Sequence, residues 1–231
     1  MEIALINNAV FLGSLILGLV CDYLLSRFLV ASIHQTNRSR PKLFKLSRHL
    51  PLILMNIFIV CALSLVIIAL CHHCFSTAHV STLVFLSQFL FILILDDIEF
   101  YCWHRFLHSN RFLMKRIHSI HHRARVPYPI EFIYAHPVEW LGGTFGIVIA
   151  FALIVFFYGS ASAYVMWFYT AYRALREMST HSNFTVSFIN KIPFLPICSA
   201  KHHTAHHMQL RGNYASTFTY LDKVFGTELK E

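Results

Sequence analysis

The chain of 231 residues is 56% hydrophobic and only 13% charged, a composition that excludes an ordinary soluble domain. Its net charge of +8 would suit a nucleic-acid partner, but the basic residues lie in separate clusters between long apolar stretches. That distribution is typical of membrane topology, so we expect an integral membrane protein with no nucleic-acid partner.

Five apolar segments are predicted to cross the membrane as helices, and at least three of them, one when extended by its flanks, reach the roughly 20 residues that a bilayer requires. In chain order they cover residues 3–24, 50–71, 83–95 with its flanks, 140–158 and 161–175. The last two form a tight hairpin that turns at Tyr158-Gly159-Ser160. We therefore predict an all-α fold, an integral membrane helical bundle of about five transmembrane helices.

The lysines and arginines indicate how these helices are oriented. They cluster at residues 38–48, 105–125 and from 173 onward, and none occurs in 1–26, 49–104 or 126–172. Because basic residues favour the cytosolic side of a membrane, we expect the N-terminus outside and the basic segments in the cytosol. The expected membrane is the endoplasmic reticulum or a bacterial cytoplasmic membrane.

Histidines are concentrated in three short blocks within those cytosolic segments: HRFLH from residue 104, HSIHH from 118 and KHHTAHH from 201. In a helix, residues three or four apart share one face, so the histidines of each block are expected to point at a common ion. Imidazole is a good ligand for iron, zinc and copper. The predicted metal ligands in these blocks are His104, His108, His118, His121, His122, His203, His206 and His207.

His181 joins this set because the predicted topology returns the end of the fifth helix to the same face of the membrane. Eight or nine imidazoles exceed the roughly four to six positions around one ion, which favours two metals over one. The sequence therefore predicts a cytosolic, histidine-rich cap that binds two metal ions.

Acidic residues near the histidines are expected to support them. Asp97 lies seven residues before His104, and so on the same helix face, where it would accept the second ring N–H of a ligand. Glu139 is expected to help balance the charge of the metals. His136 precedes a proline, which disfavours a helical conformation, so it is predicted to support the ligands together with Glu139 rather than to bind metal itself.

Cys71-His72-His73-Cys74 is the one cysteine pair with a recognisable spacing. It falls in a loop that is predicted to lie outside the cytosol. Three interpretations stay open: a zinc site completed with His79, a small disulfide, or an ordinary loop at the membrane edge.

The blocks HRFLH, HSIHH and HHTAHH, with membrane segments between the second and the third, resemble the histidine boxes of the membrane-bound fatty acid hydroxylase and sterol desaturase superfamily. The resemblance runs from about residue 84 to residue 227. Within it, YAHPVE and GNYASTFTYLDKVFGT are most similar to the 4-methylsterol oxidases. The resemblance implies a di-iron centre, activation of dioxygen and attack on an unactivated C–H bond of a lipid.

The resemblance also implies roles for single residues. It identifies the eight block histidines and His181 as iron ligands, and it matches Asp97 and Tyr101 to acidic and aromatic positions before the first box. In the C-terminal stretch, Asn213 and Asp222 are expected to support the ligands. Two regions follow: residues 1–78 are an N-terminal transmembrane hairpin with a basic cytosolic loop, and residues 79–231 are a fatty acid hydroxylase-like catalytic domain.

The resulting hypothesis is a di-iron, dioxygen-dependent oxidoreductase that hydroxylates or oxidises a sterol or another lipid drawn from the bilayer. Zinc could replace iron at the same ligands. The sequence has no recognisable electron-transfer domain, so electrons are expected from a separate b-type cytochrome or from a ferredoxin with its reductase. Two alternatives stay open at this point: a lipid desaturase of the same superfamily, and a non-catalytic metal-binding or transport protein.

Overall fold

The computed structural model describes residues 1–28, 34–35, 43–182, 184–185 and 197–229, with the side chains of 1–25, 46–182 and 197–229. Its helices, in chain order, are α1 (Glu2–Phe28), α2 (Leu43–Leu70), α3 (Thr82–Ser109), α4 (Arg111–Leu113), α5 (Pro137–Gly142), α6 (Phe145–Tyr158), α7 (Ala163–Thr180), α8 (Ala200–Gln209) and α9 (Tyr220–Val224). The predicted helical architecture is therefore confirmed. Most of the basic loop expected before α2 lies outside the described residues.

Two small sheets modify the predicted all-α class. Strand β1 (His34–Gln35) pairs antiparallel with β4 (Phe184–Thr185). Strand β2 (Phe75–Ser76) pairs in parallel with β3 (Ala161–Ser162). Each strand has only two residues, so the sheets connect loops and leave the bundle helical.

Polar side chains fix the register of the helices α1, α2 and α7. The indole N–H of Trp167 donates to the carbonyl of Ile3 (3.2 Å), and the Thr170 hydroxyl donates to Asn7 Oδ1 (2.8 Å). Asn7 Nδ2 in turn donates to Ser64 Oγ on α2 (3.1 Å). Because these helices otherwise present apolar surfaces, such hydrogen bonds specify how they align. Helices α1 and α7 therefore run in the same direction.

Helices α3 and α6 pack closely because the second residue of α6 is a glycine. A Cβ atom on Gly146 would lie 2.8 Å from Asp96 Cα, so only glycine permits this approach. The predicted fourth helix is broken at 143–144 into α5 and α6. The predicted turn before α7 is confirmed, since Gly159 ends α6 with a φ of +79°.

Three helical stretches of the described chain are long and apolar enough to cross a membrane: Glu2–Leu25, Leu46–Leu70 and Pro137–Tyr158. Large apolar side chains on them are exposed, among them Phe58 at 72% and Phe156 at 79%. Exposed apolar surface of this extent fits a lipid environment and not water. The structure thus supports a membrane protein.

Helices α3 and α7 are also long, but charged residues occupy their later turns. Asp96 of α3 is buried and forms an ion pair with Arg173 of α7. Tyr169 donates its hydroxyl to the same carboxylate (2.7 Å), and Arg173 Nε lies 3.4 Å from Glu177 Oε1. Pairing of this kind lets charged groups lie inside a helical bundle. It joins α3 to α7 next to the segments that carry the histidines.

The second histidine block corrects the sequence prediction, because HSIHH is not a regular α-helix. Residues Met114–His118 form a wide π-helical turn, in which the N–H of Ser119 donates to the carbonyl of Met114 (2.8 Å). A short 3₁₀ turn, His121–Arg123, follows. Wide turns of this type are frequent at functional sites because they redirect side chains.

Candidate metal centre

The nine predicted ligands lie in two groups within the described part of the chain. In each group one nitrogen per histidine lies within 4.8 Å of the others. The five-histidine cluster contains His104, His108, His118, His122 and His206, and the four-histidine cluster contains His121, His181, His203 and His207. Every member is buried except His108, which is half-buried.

Each of the two HxxHH blocks contributes histidines to both clusters. In HSIHH, the first and last histidines belong to the five-histidine cluster and His121 belongs to the other. In HHTAHH, His203 and His207 belong to the four-histidine cluster, while His206 joins the first. The expectation that each block points at one ion is therefore wrong. Side chains four residues apart share a face, whereas the residue one position earlier is rotated by about 100° and faces the neighbouring cluster.

The nitrogen spacings in the five-histidine cluster match those around one ion. His118 Nε2 lies 2.8 Å from His108 Nε2 and 2.9 Å from His122 Nε2, and the third distance is 3.2 Å. Two imidazole nitrogens bound at about 2.1 Å lie about 3.0 Å apart at a right angle and about 3.4 Å apart in a tetrahedron. His206 Nε2 is buried without a hydrogen-bond partner.

Nitrogen atoms on the far side of these rings are held by the protein. His104 Nδ1 donates to the carbonyl of Tyr214 (2.8 Å), and His206 Nδ1 donates to that of Gly212 (2.7 Å). His118 Nδ1 lies 2.8 Å from Glu139 Oε1. Such partners fix the tautomer and aim the free Nε2 lone pair at the centre of the cluster.

His121 and His181 show directly that the four-histidine cluster fits a cation. Their Nδ1–H groups donate to the carbonyls of Tyr134 (3.1 Å) and Glu177 (2.9 Å). A carbonyl oxygen only accepts, so both Nε2 atoms carry lone pairs. These two atoms face each other at 3.4 Å with no proton between them. Facing lone pairs in a buried site are stabilised by a positive ion, and His203 and His207 supply further nitrogens at 3.1 Å spacings.

Burial keeps these imidazoles uncharged. It lowers the pKa of His104 to about 4 and that of His108 to about 3. Burial lowers the pKa of His121 and His207 well below the ordinary value. At neutral pH the clusters therefore present unprotonated nitrogens, the form that binds metals.

Asp222 organises the loop that supports the five-histidine cluster. Its carboxylate accepts the backbone N–H groups of Tyr214 (2.8 Å) and Ala215 (3.0 Å) and lies 3.1 Å from His202 Nε2. Asn213 spans the same loop, donating to the carbonyl of His202 (3.0 Å) and accepting the N–H of Leu229. Both residues thus act through the backbone carbonyls that hold His104 and His206, and neither bonds a predicted ligand.

Tyr101 and Asp97 likewise hold the C-terminal segment. The Tyr101 hydroxyl lies 2.9 Å from Thr227 Oγ1, and its ring stacks on Phe225. Asp97 Oδ1 accepts the backbone N–H groups of Thr217 and Phe218, each at 3.2 Å. The expectation that Asp97 accepts a histidine N–H is therefore wrong. The face of α3 that carries Asp97 packs against the backbone at 217–218, and its carboxylate binds there instead of at a histidine ring.

His136 lies outside both clusters and acts at the start of α5. Its Nδ1 accepts the N–H of Val138 (3.2 Å), which caps the helix that carries Glu139. His136 therefore acts on the histidines indirectly, through the helix that carries Glu139. The cap positions α5, and the Glu139 carboxylate contacts His118 directly.

Backbone carbonyls are the functional groups that sequence reasoning missed. Four of them, from Tyr134, Glu177, Gly212 and Tyr214, accept histidine N–H groups. Every residue type has a carbonyl, so the sequence holds no signal for them. In the segment Cys71-His72-His73-Cys74, for which three interpretations were open, Cys71 and Cys74 are free thiols and join no metal-binding group among the residues described.

A cavity of about 930 Å³ lies among α1, α2, α3, α6 and α7 and reaches both clusters. Its lining is mostly apolar. At one end it is bounded by His104, His118, His121, His181 and His203, and at the other by Cys71, Cys74 and Phe75. This volume is at the upper end of the roughly 300–1,000 Å³ of small-molecule sites, so a lipid-sized molecule fits beside the histidines.

Comparison with known proteins yields a family match. A model of the family "Fatty acid hydroxylase" matches residues 89–227, more than half of the chain and all nine clustered histidines. No solved structure gives a significant match.

Curated relatives come from several organisms. Methylsterol monooxygenase 1 of Rattus norvegicus is 37% identical over 59% of this chain and 45% of its own length. Methylsterol monooxygenase 2-2 of Arabidopsis thaliana is 36% identical over 62% of this chain and 52% of its own. Very-long-chain aldehyde decarbonylase GL1-11 of Oryza sativa subsp. indica is 36% identical over 63% and 53%. The chain thus spans about half the length of the relatives it matches.

Proposed function

The chain belongs to the fatty acid hydroxylase family, and we propose from this premise that it is a di-iron, dioxygen-dependent oxidoreductase that hydroxylates or oxidises a C–H bond of a sterol or another lipid. The observation that carries the proposal is the meeting of two adjacent histidine clusters with a large apolar cavity. The relatives named as methylsterol monooxygenases support the substrate class.

The five-histidine and four-histidine clusters would each hold one metal ion, with zinc able to occupy the same nitrogens. Bound iron would supply the activation of dioxygen and the oxidation of an unactivated C–H bond. In the overall balance, one oxygen atom enters the C–H bond and the other leaves as water, with two electrons from a separate donor and two protons.

The residues of the chain perform the positioning. Glu139 and the four carbonyls hold five of the nine rings, so the nitrogen lone pairs of these five are aimed before any ion binds. Apolar residues of the cavity, such as Phe132 and Leu107, exclude water next to the histidines and align a hydrocarbon substrate. Preorganisation of this kind reduces the reorganisation needed during the reaction.

The topology completes the proposal. The three apolar stretches, together with the charge-bearing helices α3 and α7, would form five spans that leave both clusters on the cytosolic side, as the distribution of basic residues favours. A separate b-type cytochrome, or a ferredoxin with its reductase, would then reach the centre from the cytosol while the lipid enters from the bilayer of the endoplasmic reticulum or a bacterial cell.

A test of the proposal is turnover of lipids by the purified full chain. The protein, loaded with iron and given a chemical reductant and ¹⁸O₂, is expected to add one labelled oxygen atom to a sterol or other lipid. Loss of two hydrogens without label would indicate a desaturase instead. His207→Ala serves as the inactive control, and products formed equally by that variant, or no oxidised product at all, would overturn the proposal.

A further inference from the structure

A group of polar side chains interrupts the apolar wall of the cavity. Asn7 and Asn8 of α1, Ser64 of α2 and Thr170 of α7 all line it. Neighbouring wall residues, such as Phe11, are apolar. Polar side chains at membrane depth are costly, and they commonly either join helices or contact a bound molecule.

Asn7 joins helices through both ends of its side-chain amide. It donates to Ser64 Oγ (3.1 Å) and accepts the hydroxyl of Thr170 (2.8 Å), so one side chain links α1, α2 and α7. Asn8 Nδ2 donates to the carbonyl of Cys61 (2.9 Å). These bonds leave other polar atoms of the same group unused.

Three functional groups remain available to a molecule in the cavity. In the described structure, no hydrogen bond is donated by the Ser64 hydroxyl, none is accepted by Asn8 Oδ1, and Thr170 Oγ1 only donates. An apolar environment makes unpaired polar atoms unfavourable. A hydroxyl group suits this set, since it accepts from Ser64 and donates to Asn8 or Thr170.

The charges nearby indicate a neutral ligand. Among the described residues, the lysine, arginine and carboxylate residues that line the cavity are Glu139 and Glu177, near the histidines, and Arg173, one turn after Thr170 on α7. Arg173 is already paired with Asp96 and Glu177. A fatty acid carboxylate or a phosphate would therefore lack a free cation at the polar group, and an alcohol would not need one.

The polar group is far from the clusters. Thr170 of α7 precedes His181, the residue directly after that helix, by eleven residues, which corresponds to about 16 Å. Building on the function proposed above, we propose that Asn8, Ser64 and Thr170 form a subsite for the hydroxyl group of a lipid alcohol, which directs oxidation to a carbon remote from that hydroxyl.

This regiochemistry differs from that of 4-methylsterol oxidation. In a 4-methylsterol the methyl group is attached next to the carbon that bears the hydroxyl. A sterol held by its hydroxyl in this subsite places the opposite end of the molecule beside the histidines. The subsite thus selects the distal part of a sterol or of a long-chain alcohol.

Binding measurements without turnover test the subsite. The full chain in lipid nanodiscs is titrated with radiolabelled octadecan-1-ol and with octadecane. Asn8→Leu and Ser64→Ala are each expected to weaken binding of the alcohol by roughly three- to tenfold, the effect of one lost hydrogen bond, and to leave binding of the alkane unchanged. Ser14→Ala is the matched control, because the Ser14 hydroxyl bonds its own helix at Val10 and does not line the cavity.

The outcomes separate the subsite from the proposed enzyme activity. Equal losses for alcohol and alkane, or no preference for the alcohol in the unchanged protein, would show that these residues only join helices and would overturn the inference. Oxidation at a carbon adjacent to the hydroxyl would overturn it as well. Selective loss of alcohol binding in a protein that oxidises nothing would support the subsite and count against the oxidoreductase.

Discussion

The two histidine clusters are built differently although they lie side by side. The five-histidine cluster takes four members from residues 104–122 and only His206 from the C-terminal block. The four-histidine cluster is assembled from three separate segments around His121, His181 and His203. Two carbonyls hold rings in each cluster, and the first has in addition a side-chain carboxylate, Glu139, on His118. The second cluster therefore depends more on the tertiary fold and has no ligand to spare.

The largest expected effect comes from removing ligands of both clusters at once. The triple variant His118→Ala, His121→Ala and His206→Ala leaves three imidazoles in each cluster, whereas His118→Ala, His122→Ala and His206→Ala leaves all four in the four-histidine cluster. We expect the first variant to lose both metals and the second to keep one firmly bound metal per chain. Both variants take two histidines from HSIHH and one from HHTAHH, so identical metal contents after dialysis against a mild chelator would show that the blocks are not divided between the clusters.

Single substitutions measure the difference in ligand number. His207→Ala leaves three imidazoles in its cluster, and we expect loss of one metal equivalent and of activity. His108→Ala leaves four, enough for a tetrahedral site, so both metals should be retained with reduced activity. Metal content and turnover of the two variants provide the comparison. Equal metal loss from both variants would contradict the conclusion that the two clusters differ in their number of ligands.

Glu139→Gln tests the side-chain support that belongs to only one cluster. Because Gln keeps the shape but loses the charge that favours the Nδ1–H tautomer of His118, we expect about a 10- to 100-fold loss of activity. Metal affinity should fall in the five-histidine cluster and stay unchanged in the other. His136→Ala is the control, since it removes only the cap of α5, and its effect should be smaller with both metals bound. A larger effect for His136→Ala would place that residue closer to the metals than the structure does.

The last prediction concerns the pH dependence of the stability of the metal-free protein. Folded His104 has a pKa of about 4 against an ordinary value of 6.5, so the unfolded chain takes up the proton first as pH falls. Stability is therefore fully present above pH 6.5 and is lost as pH falls toward 4, by up to about 1.4 kcal/mol per pH unit for each such histidine. Thermal unfolding midpoints of the metal-free protein between pH 7 and 5 measure this loss. A midpoint independent of pH would show that the histidines are not buried together.

The sequence predicted the helices and the histidines but not how they combine. Apolar length and the HxxxH and HxxHH spacings are local features, and the nine predicted histidines do lie together. Each HxxHH block is divided between the clusters because successive helical residues are rotated by about 100°, but the fold decides which cluster each ring enters, and the wide turn at 114–118 has no recognisable signal in the sequence. Asp97 was expected, from its spacing to His104, to bond a histidine ring. Its hydrogen-bond partners are instead the backbone N–H groups of Thr217 and Phe218, which tertiary packing brings to it. Long-range contacts of this kind decide which polar group supports a ligand, and spacing alone does not contain them.

The metal content of the unchanged full chain tests the central claim most directly. Protein expressed with iron, purified anaerobically in detergent and washed free of loosely bound metal is analysed for iron and zinc per chain. Two tightly bound ions per chain are expected, one for each cluster, with iron in the active preparation. One ion, or none, in protein that retains its helical content would contradict the account of two adjacent metal sites.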